Sequence, residues 1–290
     1  MTIKRKSSWI YTPPSQPGFL GHGHIARPVI QSDYAQSDPV IILMDDMLDK
    51  KDDEPAGGPH PHAGFETVTL LLEGTLGEGP HAMTAGDFEM MTAGKGIIHT
   101  EVITKKEKFR LLQLWLNLPK SQRQAIPRVQ RLKAEHVPAR TADGATVRVY
   151  SGTFANLISP IQNYTPVIIA EITMRPGAVL NELIPANFNT FLYVISGSVR
   201  IGQSEEQVLN DQVAWLDRHA ESETSELSLT AGENGVRIIL YGGEPQHHDI
   251  VTHGPFVADS LDAIKQLYAD FRHGKMEHIS EVSEEQKAVY

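Results

Sequence analysis

Two short motifs in this sequence have the residue types and spacing of a metal site. His60 and His62 flank Pro61 in the stretch GPHPHAGFETVTLLLEG, and His99 and Glu101 occur further along in GIIHTEV. Residues i and i+2 of an extended strand point to the same face, so each pair can present both side chains to one ion. Pro61 also favours an extended backbone at His60.

Together the two pairs supply three imidazoles and one carboxylate, provided that the two strands converge. This set suits Fe, Mn, Cu, Ni or Zn better than Ca or Mg, which prefer shells of oxygen ligands. Four protein ligands leave positions open on an octahedral ion for a substrate or dioxygen. The alternative is a polar cluster without a metal, but burying such groups without compensation is costly.

The composition excludes several other classes of function. The chain has 290 residues, no cysteine and a formal charge of −10 from 26 Lys+Arg and 36 Asp+Glu. The absence of cysteine excludes disulfides, thiolate metal sites and cysteine nucleophiles. The acidic charge argues against direct binding of nucleic acid or an anionic membrane. We find no signal-peptide pattern and no long apolar segment, so we expect a cytoplasmic protein.

Short apolar runs separated by glycine and proline turns predict an all-β chain, a sandwich or a barrel. In FRLLQLWLNLP, alternate residues fall on one face, with Leu112, Leu114 and Leu116 on the same side. The polar stretch from Pro119 to Arg140 separates this block from a second strand-rich block of similar pattern. The sequence therefore predicts one β-module used twice, joined by a connection.

Near the C-terminus the period changes from that of a strand to that of a helix. Apolar residues recur at helical spacing: Leu261, Ile264, Tyr268 and Phe271. Asp259 or Ser260 can cap the start of this helix, and Gly274 can end it. We expect the helix to pack against one of the β-modules.

Four motifs carry a family resemblance, in order through nearly the whole chain: HPHAGFETVTLLLEG, MTAGKGIIHTE, LLQLWLNLP and HGPFVADSLDAIKQLYADF. They closely resemble the pirin family of the cupin superfamily. The resemblance implies an all-β fold of two stacked cupin domains, each a double-stranded β-helix or jelly-roll barrel, with a short C-terminal helix. We expect a metal-binding domain at 1–130, a linker at 131–145 and a metal-free domain carrying the terminal helix at 146–290.

The resemblance also implies one metal ion in the N-terminal domain. Its ligands are four residues: His60, His62, His99 and Glu101. Fe(II) is the favoured ion, and Mn, Cu, Ni and Zn are alternatives. Glu66 fits the general cupin spacing His-x-His-x₃-Glu, but pirins do not use that residue as a ligand. The corresponding stretch of the second block, LNELIPANFN, offers asparagines such as Asn181 instead of histidines, so we expect no metal there.

Other positions receive separate expectations. His22 and His24 form a His-x-His pair without a partner pair, so a structural or surface role is expected. His247 and His248 are expected in a solvated loop. His81 could overhang the pocket, although chance exposure is the simpler interpretation.

Departures from the family and the large aromatic residues bear on the shape of the pocket. The hairpin Leu76–Asp87 is shorter than in many pirins, and His253 stands where the family often has tyrosine. Trp115 and Trp215 fit core positions. Phe65 fits either the core or the pocket wall.

For function, the resemblance implies a quercetin (flavonol) 2,4-dioxygenase that opens the ring with O₂ at a His₃Glu metal centre and releases carbon monoxide. Glu101 would be both a ligand and the general base for the 3-hydroxyl of a flat aromatic substrate. The alternative is a non-enzymatic, iron-dependent redox sensor that binds a protein partner in the manner of a transcription cofactor. The acidic charge does not argue against that second role.

Overall fold

The computed structural model describes residues 2–31, 34–77, 79, 82–220 and 223–290. The chain forms two compact units. The first domain comprises Pro14–His136 together with Gln246–Tyr290. The second domain comprises Val137–Pro245 together with the N-terminal segment up to Pro13.

The fold is almost entirely β-structure. The strands in chain order are β1 (Ile3–Lys4), β2 (Ser7–Tyr11), β3 (Gln16–Pro17), β4 (His24–Ile30), β5 (Val40–Lys50), β6 (Ala56–His62), β7 (Phe65–Leu76), β8 (Met83–Thr84), β9 (Phe88–Thr92), β10 (Ile97–Ile103), β11 (Glu107–Asn117), β12 (Arg128–Leu132), β13 (Ala139–Ala142), β14 (Ala145–Ser151), β15 (Thr153–Phe154), β16 (Leu157–Ile158), β17 (Val167–Met174), β18 (Val179–Pro185), β19 (Asn189–Ile201), β20 (Gln207–Leu209), β21 (Val213–Leu216), β22 (Thr224–Gly243), β23 (Val251–His253), β24 (Phe256–Ala258), β25 (Glu277–His278) and β26 (Lys287–Val289). The helical segments are α1 (Tyr34–Ser37), α2 (Leu261–Arg272) and the 3₁₀ turns Lys120–Gln122, Ala134–His136 and Glu284–Gln286.

The first domain contains a long sheet and a short sheet. The long sheet has the strand order β26-β12-β9-β7-β11-β5-β4-β3, and the short sheet has the order β25-β10-β6. In β11 the predicted alternation is present: Leu112, Leu114 and Leu116 are buried, whereas Gln113 and Trp115 between them keep partial exposure. The two faces of the long sheet therefore have different surroundings.

The second domain is built on one large sheet in the order β13-β14-β17-β22-β19-β21-β2. Strands β1 and β18 also pair with β22, and β20 pairs with β19. Its core is a cluster of buried apolar side chains that includes Val147, Ile172, Leu192 and Ile238 from four neighbouring strands. Val147 alternates with partly exposed neighbours, whereas the residues on both sides of Leu192 are also buried, so the middle of β19 is buried on both faces.

The domain boundaries in the structure differ from those predicted at 1–130, 131–145 and 146–290. In the N-terminal segment, β1 pairs in parallel with β22, and β2 pairs with β21, so this segment belongs to the second domain. At the other end of the chain, β25 pairs with β10 and β26 with β12. Residues 131–145 contain the end of β12, a 3₁₀ turn and β13 rather than a linker. Local patterns do not reveal pairings between segments so distant in the chain.

Helix α2 lies in the first domain and not in the second, where the sequence had placed it. Ser260 caps its start, because the Ser260 hydroxyl accepts a hydrogen bond from the backbone N–H of Ala263 at 3.2 Å. Its buried residue Ile264 packs with Phe256 and Met276. Among the described residues, no helix has both the length and the apolar character needed to span a bilayer.

Candidate metal centre

The paired strands β6 and β10 bring the two predicted motifs together. They run antiparallel, with His99 directly opposite His60. His62 lies opposite Ile97, and Glu101 lies opposite Gly58. Because the side-chain period of a strand is two, His60, His62, His99 and Glu101 all lie on the same face of this pair of strands.

Three imidazoles converge on this face. The Nε2 atoms of His60 and His99 are 2.7 Å apart. One ring nitrogen from each of His60, His62 and His99 lies within 4.8 Å of the others. The three ring centroids are separated by 4.3 to 4.8 Å. Among the described residues, no other group of three or more histidine, aspartate or glutamate side chains brings its ligand atoms this close together.

The tautomer of His60 leaves a lone pair for an ion. Its Nδ1 lies 2.9 Å from the carbonyl oxygen of Gly58, so the N–H is on Nδ1 and donates to that carbonyl. In the neutral ring, Nε2 of His60 then has a free lone pair, and it points at Nε2 of His99. A ligand histidine whose other nitrogen donates to a backbone carbonyl is the usual arrangement at protein metal sites.

Burial keeps the other two imidazoles neutral. The pKa of His62 is lowered to about 3, first by burial and then by the neighbouring His60, while the carbonyl of Pro255 opposes the shift. Burial also lowers the pKa of His99 to about 2, with further contributions from the other histidines nearby. Metal ions bind the neutral form of imidazole, so these rings are ready to act as ligands at neutral pH.

Glu101 lies beside the histidines, at the solvent side of the cluster. Its carboxylate oxygens are 3.8 Å from Nε2 of His60 and 3.9 Å from Nδ1 of His99. Desolvation raises the pKa of Glu101, and His60 opposes this shift. Yet 48% of its side chain is exposed, so water screens the carboxylate and we expect it to be ionised at neutral pH.

The residues present fit a transition metal. Nδ1 of the buried His62 makes no hydrogen bond of standard geometry with a described residue, and the hydrogen bond between Nε2 of His60 and Nε2 of His99 does not involve His62. Such a set is costly unless an ion binds it. Imidazoles with an adjacent carboxylate favour Fe, Mn, Ni, Cu or Zn, and the donor set does not choose among them.

The turn between β6 and β7 fixes the position of His62. Gly64 adopts φ +86°, and its backbone N–H donates to the carbonyl of Gly94 at 2.8 Å. The carbonyl of Gly64 accepts a hydrogen bond from Nη1 of Arg123, a buried guanidinium that also donates to Oδ1 of Asp259 at 2.9 and 3.1 Å. The same arginine therefore ties the turn after His62 to the C-terminal segment.

The C-terminal segment contributes to the site in a way that the sequence reasoning missed. The backbone N–H of Val257 donates to the carbonyl of Ala63 at 3.0 Å, directly after His62. Strand β25 pairs with the start of β10, two residues before His99. The sequence signal for this contact was the apolar stripe of α2. The stripe shows that the helix packs against another element, but it does not show which one.

An aromatic wall adjoins the cluster. The ring centroid of His62 is 5.1 Å from that of Phe65 and 5.2 Å from that of Trp115, and these two aromatic rings are 4.3 Å apart. Phe65 is fully buried, whereas Trp115 keeps partial exposure. Phe65 is therefore a core residue that packs behind Trp115, and Trp115, predicted as core, borders the site. Trp215 is a core residue of the second domain.

The other histidines singled out from the sequence are not members of the cluster. His24 is buried, with Nε2 2.9 Å from Oδ1 of Asp46, whereas His22 is exposed. His247 and His248 are exposed. His81 falls outside the described residues.

Two further positions of interest have other partners. Glu66 is fully buried, and its carboxylate accepts a hydrogen bond from Oγ1 of Thr92 at 2.7 Å, outside the histidine cluster. His253 is exposed and contacts the hydroxyl of Tyr268 at 3.0 Å.

A chain of two β-domains, one of which gathers three imidazoles on paired strands, belongs to the class of two-domain cupin proteins with a candidate metal centre. Family models agree: "Pirin" matches residues 23–116, and "Pirin C-terminal cupin domain" matches residues 169–277. Pirin of Mus musculus is 35% identical over 264 residues, which cover 87% of this chain and 87% of the relative. The chain therefore belongs to the pirin family.

Two further similarities bear on function. A Pseudomonas aeruginosa protein provisionally named as a quercetin 2,3-dioxygenase is 34% identical over 251 residues, covering 82% of this chain and 86% of that protein. The crystal structure of a quercetin 2,3-dioxygenase from Acinetobacter baumannii superposes with a TM-score of 0.80 at 25% identity, covering 95% of this chain and 99% of that one.

Proposed function

We propose that this protein is a metal-dependent dioxygenase of the quercetinase type, which opens the ring of a flavonol with O₂. The observation that carries the proposal is the convergence of three neutral imidazoles beside a partly exposed carboxylate and an aromatic wall. The two relatives named as quercetin dioxygenases support it.

Each residue of the site has a role in this proposal. His60, His62 and His99 would hold the ion with Glu101, and Fe(II) is the ion we expect. A bound transition ion would supply Lewis acidity and the redox chemistry that O₂ requires. A carboxylate oxygen of Glu101 would accept the proton of the substrate's 3-hydroxyl, since it lies next to the imidazoles yet is open to the solvent side.

The aromatic wall would position the substrate. Trp115, backed by the buried Phe65, presents apolar ring surface next to His62. Flat aromatic molecules bind well against such surfaces because stacking adds to the burial of apolar area. The exposed edge of Trp115 is the part that a flavonol ring would cover.

Turnover of quercetin by the Fe(II)-loaded protein tests the proposal. We expect loss of the flavonol absorbance band and release of carbon monoxide. In the variants His60→Ala and Glu101→Gln the rate should fall by about 100-fold or more, as is typical when a group that acts on the reacting atoms is removed. The exposed His22→Ala is the matched control and should keep full activity. A rate no higher than that of free Fe(II) would contradict the proposal.

A second candidate is a redox-sensing regulator that binds a protein partner. It is favoured by the position of the ligands, because 37% of the His60 side chain and 48% of the Glu101 side chain reach the surface. A change in the charge of a bound ion would then alter the surface that a partner contacts. A pull-down that captures a partner with Fe(III)-loaded but not Fe(II)-loaded protein would support this role. Equal capture in both states would exclude it.

A further inference from the structure

A row of side chains capable of hydrogen bonding crosses the long sheet of the first domain. Arg131 lies opposite Glu89, Glu89 opposite Thr69, and Thr69 opposite Gln113 in the registers of four adjacent strands. Directly paired residues point to the same face of a sheet. We call these four residues the polar row.

The polar row lies on the face that looks toward the candidate metal centre. Trp115 is two residues from Gln113 on β11 and so shares its face, and the Trp115 ring contacts that of His62. Glu89 is also close enough to Glu101 to contribute to raising the pKa of that carboxyl. Two independent observations therefore place the row and the histidines around the same space.

That space is open to solvent. Gln113 and Glu89 keep partial exposure although they lie on strands with neighbours on both sides. Their flanking residues Leu112, Leu114 and Met90 are buried. An antiparallel sheet can leave one of its faces open to solvent, so the polar row lies on an accessible face beside the histidines.

The row offers both hydrogen-bond acceptors and donors. Glu89 forms an ion pair with Nε of Arg131, which occupies part of its acceptor capacity. Oγ1 of Thr69 donates to Oε1 of Gln113 at 3.4 Å, a long bond that a ligand can replace. Phenolic hydroxyl groups donate and accept, so they match this wall. A carboxylate on a substrate would meet Glu89 and Glu101 and be repelled.

Building on the proposed function, we infer that the polar row sets substrate choice: it selects flavonols that carry hydroxyl groups on the rings away from the reacting 3-hydroxyl. Those hydroxyls donate to Glu89 and hydrogen-bond with Gln113, while the 3-hydroxyl lies at Glu101. Glu89 and Gln113 are thus specificity residues, distinct from the metal ligands.

Calorimetric binding to the protein as purified tests this inference, with quercetin compared with unsubstituted 3-hydroxyflavone. We expect the wild type to bind quercetin about 10-fold more tightly than 3-hydroxyflavone. This ratio of affinities corresponds to the net free energy of one or two hydrogen bonds to a charged or amide group. Glu89→Ala and Gln113→Leu should each reduce this preference to about threefold or less. The matched control is Glu171→Ala, which removes the partner of Arg237 from an Arg–Glu pair of the second domain and should leave the preference unchanged.

Circular dichroism and denaturation verify that each variant is folded, and Thr69→Val replaces Glu89→Ala if the latter does not fold. An equal affinity of the wild type for the two flavonols, or an unchanged preference in folded Glu89→Ala and Gln113→Leu, overturns the inference. Turnover measured in parallel separates this result from the proposed function. Selective binding without turnover contradicts the dioxygenase alone, whereas turnover without selectivity contradicts only the role of the polar row.

Discussion

At the scale of single residues, the candidate metal centre is prepared by burial and by one backbone carbonyl. The carbonyl of Gly58 fixes the tautomer of His60, and burial holds His62 and His99 neutral. Each effect favours the state of the imidazole that binds a metal ion. His62 and His99 therefore would not need to lose protons to bind an ion at neutral pH.

Replacement of one imidazole should release the metal. We expect His99→Ala to lower the affinity for Fe(II) or Zn(II) by at least about 100-fold, since losing a group that only orients a ligand already costs about 10- to 100-fold. Metal analysis after dialysis, together with metal titration, measures the effect. The control is His273→Ala, an exposed histidine at the end of α2 whose Nδ1 contacts the carbonyl oxygen of Ala269. Retention of metal by His99→Ala at the wild-type level would show that this ring is not a ligand.

The buried imidazoles also predict a pH dependence for the metal-free protein. His62 and His99 have folded-state pKa values of about 3 and about 2, far below the value of about 6.5 for an unfolded chain. Above about pH 6.5 neither state binds the protons. As the pH falls below that value the unfolded chain takes them up first, so stability decreases, with a limiting slope of about 1.4 kcal/mol per pH unit for each histidine.

Urea denaturation of chelator-treated protein between about pH 7.5 and about pH 4.5 measures this slope. The variant His99→Ala should lose stability less steeply than the wild type over the same range. Parallel curves for the two proteins would contradict the assignment of His99 as a buried neutral residue.

At the scale of elements, the turn between β6 and β7 holds the site together. A side chain at Gly64 would place its Cβ 1.9 Å from the carbonyl oxygen of Val257, and the φ of +86° also disfavours any other residue. The close approach of β24 to this turn is thus possible only with glycine. Arg123 donates hydrogen bonds both to the carbonyl of Gly64 in this turn and to Asp259, the residue that follows β24.

A matched pair of glycine substitutions separates close packing from backbone strain. Gly21 has a similar φ of +89°, but a Cβ added there would meet no atom of the described residues within 4 Å, unlike one at Gly64. We expect Gly21→Ala to cost about 1–2 kcal/mol of stability from the backbone conformation alone. Gly64→Ala should cost more than about 4 kcal/mol and weaken metal binding, because β24 must move. Similar values for both variants in denaturation experiments would contradict the close packing at Gly64.

The candidate metal centre shows which relations between strands the sequence could predict and which it could not. The spacing of His60 with His62, and of His99 with Glu101, follows from the two-residue period of a strand. The direct opposition of His60 and His99 depends on a register that no local pattern encodes. Likewise, alternation placed Trp115 on a face of β11 but could not show that this face borders the histidine cluster.

At the scale of the whole molecule, the N-terminal segment belongs to the second domain and the C-terminal segment belongs to the first. The predicted domain boundaries were wrong at both ends because strand pairs such as β1 with β22 and β26 with β12 join segments that are far apart in sequence. The two-domain, all-β cupin fold itself is confirmed. The cytoplasmic location and the identity of the ion stay predictions.

Deletions at the two ends should therefore differ in their effect on the candidate metal centre: one should weaken metal retention and the other should not. Removing residues 275–290 takes away β25 and β26, and we expect the protein to retain less metal and to unfold at lower urea concentration. Removing residues 2–13 takes away β1 and β2 from the second domain and should leave metal retention largely intact. If both deletions retain metal equally, the C-terminal strands do not support the site.

The division of the chain has a further consequence for biosynthesis. A ribosome makes β6 and β10 early, but it makes β24 and β25 only after the whole of the second domain. A nascent chain thus carries its histidines long before the strands that complete their surroundings exist. If the histidines bind an ion, we expect it to be held stably only after translation is complete, and chains that terminate early should not retain it.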